Sequence, residues 1–324
     1  MKQFNYLKAR SVDEALSLLS KERTSAKLIA GGMDLLSLMK DQIISPEVLI
    51  DIADTKLNYV YEDADNLHVG GATTLTDLLK NPIITQKYPL VASTIAQIAN
   101  VQVRNRGTVA GTILQRPRCH YFRGSFQCLR KSGEKCYALT GNNKYHCIIG
   151  GGPCFIVHPS DLATTFLALE AKLLIRSPKK EKTISMNEFF VLPKINTLIE
   201  NILALDEIIV EIKVPSFNAM GKGIFLKIRE RKTGDYGLMS IALLQSGELS
   251  KKRNFKVVLG GIAPMPWRAI SAEEILQRSL TTKDINAAAL KMIQEAQPLS
   301  DNAFKLYMLK GILAEAVDAL AEAK

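Results

Sequence analysis

The sequence predicts an α+β protein in which a two-lobed amino-terminal part is followed by a separate α+β domain. With 324 residues and 47% hydrophobic content, the chain exceeds one typical domain and can bury two or three cores. Strands joined to helices by tight turns fill the amino-terminal half, and a small group of strands and then three helices fill the last third. We predict lobes at 1–57 and 58–178, a connection at 179–219 and the last domain at 220–324.

The first lobe begins with a helix signal. Ser11 and Glu14 form a capping box before the amphipathic run from Ala15 to Leu19, which predicts a helix. After it we predict a strand at 27–30, a glycine turn at 31–32, a helical turn at 34–40 and a strand at 48–52.

The later elements follow from the same patterns. In the second lobe we predict strands at 67–70 and 172–175, helices near 76–79, 90–99 and 162–171, and a tight turn at 105–107. A less regular connection is expected from about Ser177 to Ala219. In the last domain we predict strands at 223–231, 238–244 and 255–260, and helices after Ser271 (a capping box with Glu274), Thr282 and Asp301.

Positive charge is concentrated in one segment. The chain has a net charge of +10, and residues 101–150 hold nine Lys or Arg against one Glu, which is +8. Such a run is either a solvated loop or compensation for bound anions. The first ten residues lack an apolar signal region and no stretch is apolar enough to span a membrane, so we expect a cytoplasmic protein, unless a partner carries an export signal.

All five cysteines also lie in this part of the chain. They are separated by spacers of eight, seven, ten and six residues in a segment rich in Gly, Lys and Asn. Disulfides are disfavoured by the odd count and the expected compartment, and the short C-x-x-C knuckles of zinc sites are missing. Thiolates spread along a loop favour an iron–sulfur cluster over zinc, although both use four cysteines and spacing does not select the four. The five are Cys119, Cys128, Cys136, Cys147 and Cys154.

Surroundings distinguish one cysteine. Cys147 precedes two isoleucines and is plausible as a packed apolar residue, whereas the other four stand beside Arg, Gly, Lys or Pro. A zinc module that binds nucleic acid through the basic segment is a weaker alternative, because aromatic residues are sparse there.

Two glycine-rich turns join strands to helices. The first is residues 29–36 (IAGGMDLL) and the second is residues 104–112 (RNRGTVAGT). Paired glycines are usually plain turn chemistry, but they also let backbone amides approach phosphate oxygens. Neither turn has the spacing of a Rossmann fold or a P-loop.

The order of these turns carries a family resemblance over nearly the whole chain. With residues 158–161 (HPSD), 227–235 (KIRERKTGD) and 260–264 (GGIAP), the sequence resembles the FAD-binding medium subunit of the xanthine dehydrogenase and molybdenum hydroxylase family. The resemblance implies a two-lobed FAD-binding domain of the vanillyl-alcohol-oxidase (PCMH) type before the α+β domain. The second turn departs from the family pattern Thr-x-Gly-Gly-Asn, because it reads Thr-Val-Ala-Gly-Thr.

The resemblance also implies which residues contact FAD. The two turns would hold the diphosphate, while an Asp and a Lys would contact the rest of the flavin nucleotide. The alternative for Asp161 is a helix cap, and for Lys227 an ordinary strand surface position. The implied FAD residues are Ile29, Ala30, Gly31, Gly32, Met33, Asp34, Leu35, Leu36, Thr108, Val109, Ala110, Gly111, Thr112, Asp161 and Lys227.

A minority of the family carries an inserted cluster. The segment 116–123 (RPRCHYFR) and the cysteines after it resemble the [4Fe-4S] insertion of the 4-hydroxybenzoyl-CoA reductase medium subunit and of bacterial molybdenum aldehyde oxidoreductases, here within residues 116–156. By this resemblance the ligands are Cys119, Cys128, Cys136 and Cys154, and Cys147 is spare.

The resemblance implies an electron relay without catalytic residues of its own. A large molybdenum-pterin subunit would transform the substrate, and a small subunit with two [2Fe-2S] clusters would exchange electrons with the FAD, giving a heterotrimer. An external carrier, ferredoxin-like, NAD or other, would meet this chain, and the basic loop would favour an acidic one. The alternative is a stand-alone flavoprotein oxidase or diaphorase with a structural cluster.

Overall fold

The computed structural model describes residues 1–216, 221–246 and 254–322, and it contains three β-sheets packed with helices. The predicted α+β class is confirmed. The described strands are β1 (Asn5–Lys8), β2 (Ala26–Ile29), β3 (Val48–Asp51), β4 (Val60–Glu62), β5 (Asn66–Gly70), β6 (Lys172–Arg176), β7 (Glu181–Ser185), β8 (Ile208–Pro215), β9 (Lys222–Ile228), β10 (Met239–Ser246), β11 (Asn254–Gly260) and β12 (Trp267–Arg268).

Helices connect these strands and cover their faces. The described α-helices are α1 (Val12–Glu22), α2 (Leu35–Lys40), α3 (Leu75–Lys80), α4 (Pro82–Lys87), α5 (Pro89–Ala96), α6 (Val101–Arg104), α7 (Val109–Ile113), α8 (His120–Arg123), α9 (Asp161–Ala168), α10 (Met186–Phe189), α11 (Ile270–Leu276), α12 (Thr282–Gln294) and α13 (Phe304–Glu322). Among the described residues, no helix has both the length and the apolar character that a membrane crossing requires.

The first sheet is parallel, in the order β1-β3-β2. Helix α1 packs on it through Leu16 and Leu19 against the fully buried Ile50. Ser11 caps α1 by accepting a hydrogen bond from the Glu14 amide at 3.1 Å, as the capping box predicts. Strand β2 ends at Ile29, so the first glycine turn lies at one edge of this sheet.

The second sheet is antiparallel, in the order β4-β5-β8-β6-β7. Its core includes Leu67, Phe166 and Ile212, each fully buried. The second glycine turn is attached to this lobe by backbone bonds: Gly107 O accepts from Leu75 N, and Val109 N donates to Thr73 O.

The last domain is an antiparallel sheet, in the order β12-β11-β10-β9, covered by α11, α12 and α13. Phe255 on β11 and Leu313 on α13 are fully buried in this core. The prediction of strands followed by three helices is therefore confirmed.

Two local predictions were wrong. The expected irregular connection contains β7, α10 and β8, since the apolar run Ile208–Pro215 forms a strand of the second sheet; Ala219, where the prediction ends, lies outside the described residues. The capping box at Ser271 does not form, because α11 already begins at Ile270 and Ser271 Oγ donates to Glu295 instead. The proposed domain boundaries stay predictions.

Candidate cofactor site

The two glycine turns lie against each other. A Cβ atom on Gly31 would stand 1.7 Å from the carbonyl oxygen of Arg106, so a side chain at this position would separate the turns. Gly32 has a φ of +70°, which glycine adopts without strain. The structure therefore brings together the two segments that the sequence predicted for FAD.

The turns differ in the hydrogen-bond donors that they offer. In the first turn, the amides of Gly31, Gly32 and Met33 donate to no other described residue. In the second turn, the amides of the four residues after Thr108 are already used: they donate to Thr73 O, Gly71 O, Thr108 Oγ1 and Thr108 O. The second turn thus offers threonine hydroxyls rather than a run of free amides, whereas the first offers amides.

Asp161 and Lys227 form an ion pair. Lys227 Nζ lies 2.6 Å from Asp161 Oδ2, and both side chains are buried, with exposed fractions of 2% and 9%. Burial raises the pKa of Asp161, and the lysine opposes that rise. Ser160, not Asp161, caps α9, and Lys227 is not a surface residue of β9. The simpler alternatives for these two residues are therefore wrong.

Asp34 joins the first glycine turn to the cysteine segment. Its carboxylate accepts from Arg116 N at 2.8 Å, from Arg123 Nη2 at 2.7 Å and pairs with Arg118 Nη2 at 3.0 Å. The Arg118 guanidinium also stacks on the ring of Tyr236, 4.9 Å from its centroid. The sequence placed Asp34 in the FAD turn but gave no signal for this second role, since its partners are about eighty residues away in the chain.

Four cysteines line one small cavity of ≈10 Å³. They are Cys119, Cys128, Cys136 and Cys154. The interaction of the Cys136 and Cys154 thiols raises the pKa of Cys136 and, helped by the nearby Arg130, lowers that of Cys154 to about 6. Cys147 does not line the cavity, is fully buried, and has a raised pKa because of its burial.

The cavity wall is partly aromatic and basic. Cys119 Sγ lies 3.2 Å from His146 Nε2, and burial lowers the pKa of His146 to about 4. In the part of the chain that the structure describes, no three His, Cys, Asp or Glu side chains are placed to hold a single metal ion. The arrangement is therefore four thiols around a space, and not a preformed single-ion site.

Several buried nitrogen atoms near these thiols have no hydrogen-bond partner among the described residues, and those of Arg130 and His146 belong to the cavity wall. Five buried side-chain nitrogen atoms of the described residues have no hydrogen-bond partner, and all lie between residues 118 and 146. Burying such a group without a partner costs about 1–3 kcal/mol, which an anionic ligand would offset. The five atoms are Arg118 Nε, Arg123 Nη1, Arg130 Nε, Arg130 Nη2 and His146 Nδ1.

The basic segment is not simply a solvated loop. Four of its arginines share two carboxylates: Arg118 and Arg123 pair with Asp34, and Arg116 and Arg130 pair with Glu200. Four positive charges against two negative ones leave a local excess of +2 beside the cysteines. Thiolates are anions, so the residues present suit a thiolate-bound cluster in chemistry and charge.

Comparison with known proteins decides the family. Residues 2–217 match the FAD binding domain in molybdopterin dehydrogenase, and residues 224–319 match the CO dehydrogenase flavoprotein C-terminal domain. The chain belongs to this family of FAD-binding subunits.

Curated relatives agree over the full length. This FAD-binding subunit is 33% identical to the aldehyde oxidoreductase FAD-binding subunit PaoB of Escherichia coli, over 100% of this chain and 99% of the relative. It is 29% identical to the carbon monoxide dehydrogenase medium chain of Hydrogenophaga pseudoflava, over 92% of this chain and 89% of that one.

Solved structures agree in fold. Carbon monoxide dehydrogenase from Hydrogenophaga pseudoflava superposes with a TM-score of 0.78 at 28% identity, covering 99% of this chain and 98% of that chain. Quinoline 2-oxidoreductase from Pseudomonas putida has the same fold, with a TM-score of 0.75 at 21% identity over 98% of this FAD-binding subunit and 97% of that chain. The predicted membership of the molybdenum hydroxylase family, and FAD as the cofactor of its first domain, are therefore confirmed.

Proposed function

We propose that this FAD-binding subunit also holds a [4Fe-4S] cluster and relays electrons between [2Fe-2S] clusters of a partner subunit and an external acceptor or donor. The observation that carries the proposal is the cavity lined by Cys119, Cys128, Cys136 and Cys154. Asp34 joins the arginines beside that cavity to the first predicted FAD turn. A cluster position next to the flavin is what a relay requires.

For FAD, the proposed contacts follow the geometry of the turns. The free amides of Gly31, Gly32 and Met33 suit diphosphate oxygens, and Thr108 and Thr112 offer hydroxyl groups. Asp161 would accept from hydroxyl groups of the nucleotide, and Lys227 would hold Asp161 in place. Bound FAD exchanges either one or two electrons and thus connects one-electron clusters with two-electron partners.

For the cluster, the proposed ligands are the four cysteines of the cavity. Their thiols must lose protons to bind iron, and the lowered pKa of Cys154 beside Cys136 supports a thiolate at one of the four positions. Arginines around the cavity would offset the negative charge of the thiolates. Cys147 would keep its apolar packing.

The partners are proposed from the relatives. Several of them are named medium chains or medium subunits, among them the nicotine 6-hydroxylase medium subunit of Paenarthrobacter nicotinovorans. For this chain we propose a heterotrimer with a large molybdenum-pterin subunit and a small subunit with two [2Fe-2S] clusters, located in the cytoplasm. Five of the nine basic residues in 101–150 have carboxylate partners within the chain, which leaves less free charge for an acidic carrier than the sequence suggested.

Reconstitution tests the relay. The full chain would be produced alone and together with the proposed large and small partner subunits. Each preparation would be assayed for copurification and for dye reduction with NADH. We expect a stable complex in which substrate added to the large subunit bleaches the flavin absorbance of this chain. Rapid NADH–dye activity of the isolated chain, with no copurification, would instead support a stand-alone diaphorase.

A further inference from the structure

Arg130 is the most deeply buried arginine beside the four cysteines. Its side chain is 0% exposed and lines the same cavity. Nη1 donates to Glu200 at 2.5 Å, while Nε and Nη2 meet no hydrogen-bond acceptor among the described residues. The guanidinium and Cys154 therefore belong to the wall of one cavity.

The charge of Arg130 is not cancelled locally. Glu200 is shared with Arg116, which pairs with it at 3.0 Å, so two guanidinium groups face one carboxylate. Arg116 is 24% exposed and its excess charge is screened by water, whereas Arg130 has no contact with solvent. The uncompensated positive charge therefore acts most strongly inside the cavity.

We infer that Arg130 sets the reduction potential of the metal cluster held by the four cysteines, and this inference rests on the proposed function. A four-thiolate cluster becomes one unit more negative on accepting an electron. A buried cation with two unpaired donor nitrogens stabilises that more negative state, and charge and hydrogen bonds to sulfur are the means by which proteins tune such potentials. Arg130 raises the potential, and Glu200 lowers it by partly neutralising Arg130.

The test is a redox titration of the full-length chain, followed by low-temperature electron paramagnetic resonance. In Arg130→Gln we expect the ratio of reduced to oxidised cluster at a fixed potential to fall about tenfold, which is a midpoint shift of about 59 mV to lower potential for one electron. Arg130→Lys keeps the positive charge, so its midpoint potential should stay close to that of the wild type. Glu200→Gln, which removes the negative charge that partly neutralises Arg130, shifts the midpoint to higher potential.

The matched control is Lys144→Gln. This variant removes one positive charge from the same segment, but Lys144 is 44% exposed and paired with Glu230. The midpoint potential of the cluster in Lys144→Gln should therefore equal that of the wild type. An Arg130→Gln midpoint equal to that of the wild type, or an equal shift in Lys144→Gln, overturns the inference. If Arg130→Gln does not retain iron, Glu200→Gln is the deciding variant. A higher midpoint potential in Glu200→Gln supports the inference, and an unchanged midpoint potential overturns it. Absence of iron and sulfide from the wild-type chain would instead refute the proposed cluster.

Discussion

At the residue scale, Asp34 links two functions that the sequence kept apart. It belongs to the first glycine turn, yet its carboxylate is held by Arg118 and Arg123 from the cysteine segment. All three side chains are at least partly buried, with exposed fractions between 12% and 27%. A substitution of Asp34 should therefore affect both proposed cofactor sites.

Asp34→Asn should weaken both the proposed FAD site and the proposed cluster site. Removing the shared carboxylate leaves two guanidinium groups without an anion, and we expect a loss of about 2 kcal/mol in the free energy of unfolding after allowing for solvent screening. Flavin retained per chain after gel filtration should fall as well. Asp54→Asn is the control, because Asp54 forms an exposed ion pair with Lys8. Equal flavin content in the two variants would show that Asp34 does not support the site.

The five cysteines differ in their position relative to the cavity, which four of them line and one does not. Cys147→Ser should keep the iron content of the wild type, because Cys147 is buried outside the cavity, whereas Cys128→Ser should lose most of it. Iron and acid-labile sulfide per chain are the measurement. If Cys147→Ser loses iron while Cys128→Ser keeps it, the proposed ligand set is wrong.

At the element scale, the turn between β2 and α2 is defined by close backbone contact. Gly31→Ala would place a methyl group against the carbonyl of Arg106, which cannot move without disturbing α6 and the second glycine turn. The close contact between the two glycine turns therefore depends on Gly31 having no side chain.

Gly31→Ala should lower flavin retention at least tenfold and destabilise the chain by about 2 kcal/mol or more, as overpacking does. Gly311→Ala on α13 is the matched control: apart from the adjoining residues of its own helix, no described atom lies within 4 Å of its Cβ position, so alanine should stabilise that helix by about 0.5–1 kcal/mol. Thermal unfolding and flavin absorbance measure both effects. Normal flavin content in Gly31→Ala would contradict the proposed role of the turn.

Elements with strong local patterns were predictable, and elements defined by distant partners were not. The Ser11 cap and β9 to β11 follow from local signals and hydrophobic runs. Strand β8 was missed although Ile208–Pro215 is rich in β-branched residues, because its place between β5 and β6 depends on segments far away in the chain. Short helices such as α6 and α8 carry too few residues for periodicity to show.

At the scale of the whole molecule, the last domain holds the cysteine segment in place. Asn302 Nδ2 donates to the backbone oxygens of Asn143, His146 and Cys147, and Lys305 Nζ donates to His146 O at 2.9 Å. Lys305 also donates to Gly261 O. The start of α13 therefore ties the segment to the core of the last domain.

Lys305 makes stability depend on pH. Burial lowers its pKa to about 8, while an unfolded lysine titrates near 10.4, so between these values the unfolded chain binds more protons. The free energy of unfolding should thus rise from about pH 8 to 10.4, by on the order of 3 kcal/mol at most. Chemical denaturation of Cys147→Ser, with and without Lys305→Met, isolates the lysine because the neighbouring thiol is absent. The same pH dependence in both proteins would contradict this account.

The composition of the site was more predictable than its connections. The cysteine set and both glycine turns are visible in the sequence because each is locally concentrated. Arg130, Glu200 and the pairing of Asp161 with Lys227 are visible only after folding, since their partners are 66 to 84 residues apart in the chain. Sequence spacing carries no information on such contacts.

A cluster beside the flavin in one chain is tested by the metal and flavin content of that chain. The full chain would be purified without oxygen, analysed for iron, sulfide, zinc and flavin, and reduced for low-temperature electron paramagnetic resonance. We expect about four iron and four sulfide per flavin, as a [4Fe-4S] cluster requires, with a signal that appears on reduction. Zinc in place of iron, or flavin with neither iron nor sulfide, would contradict it.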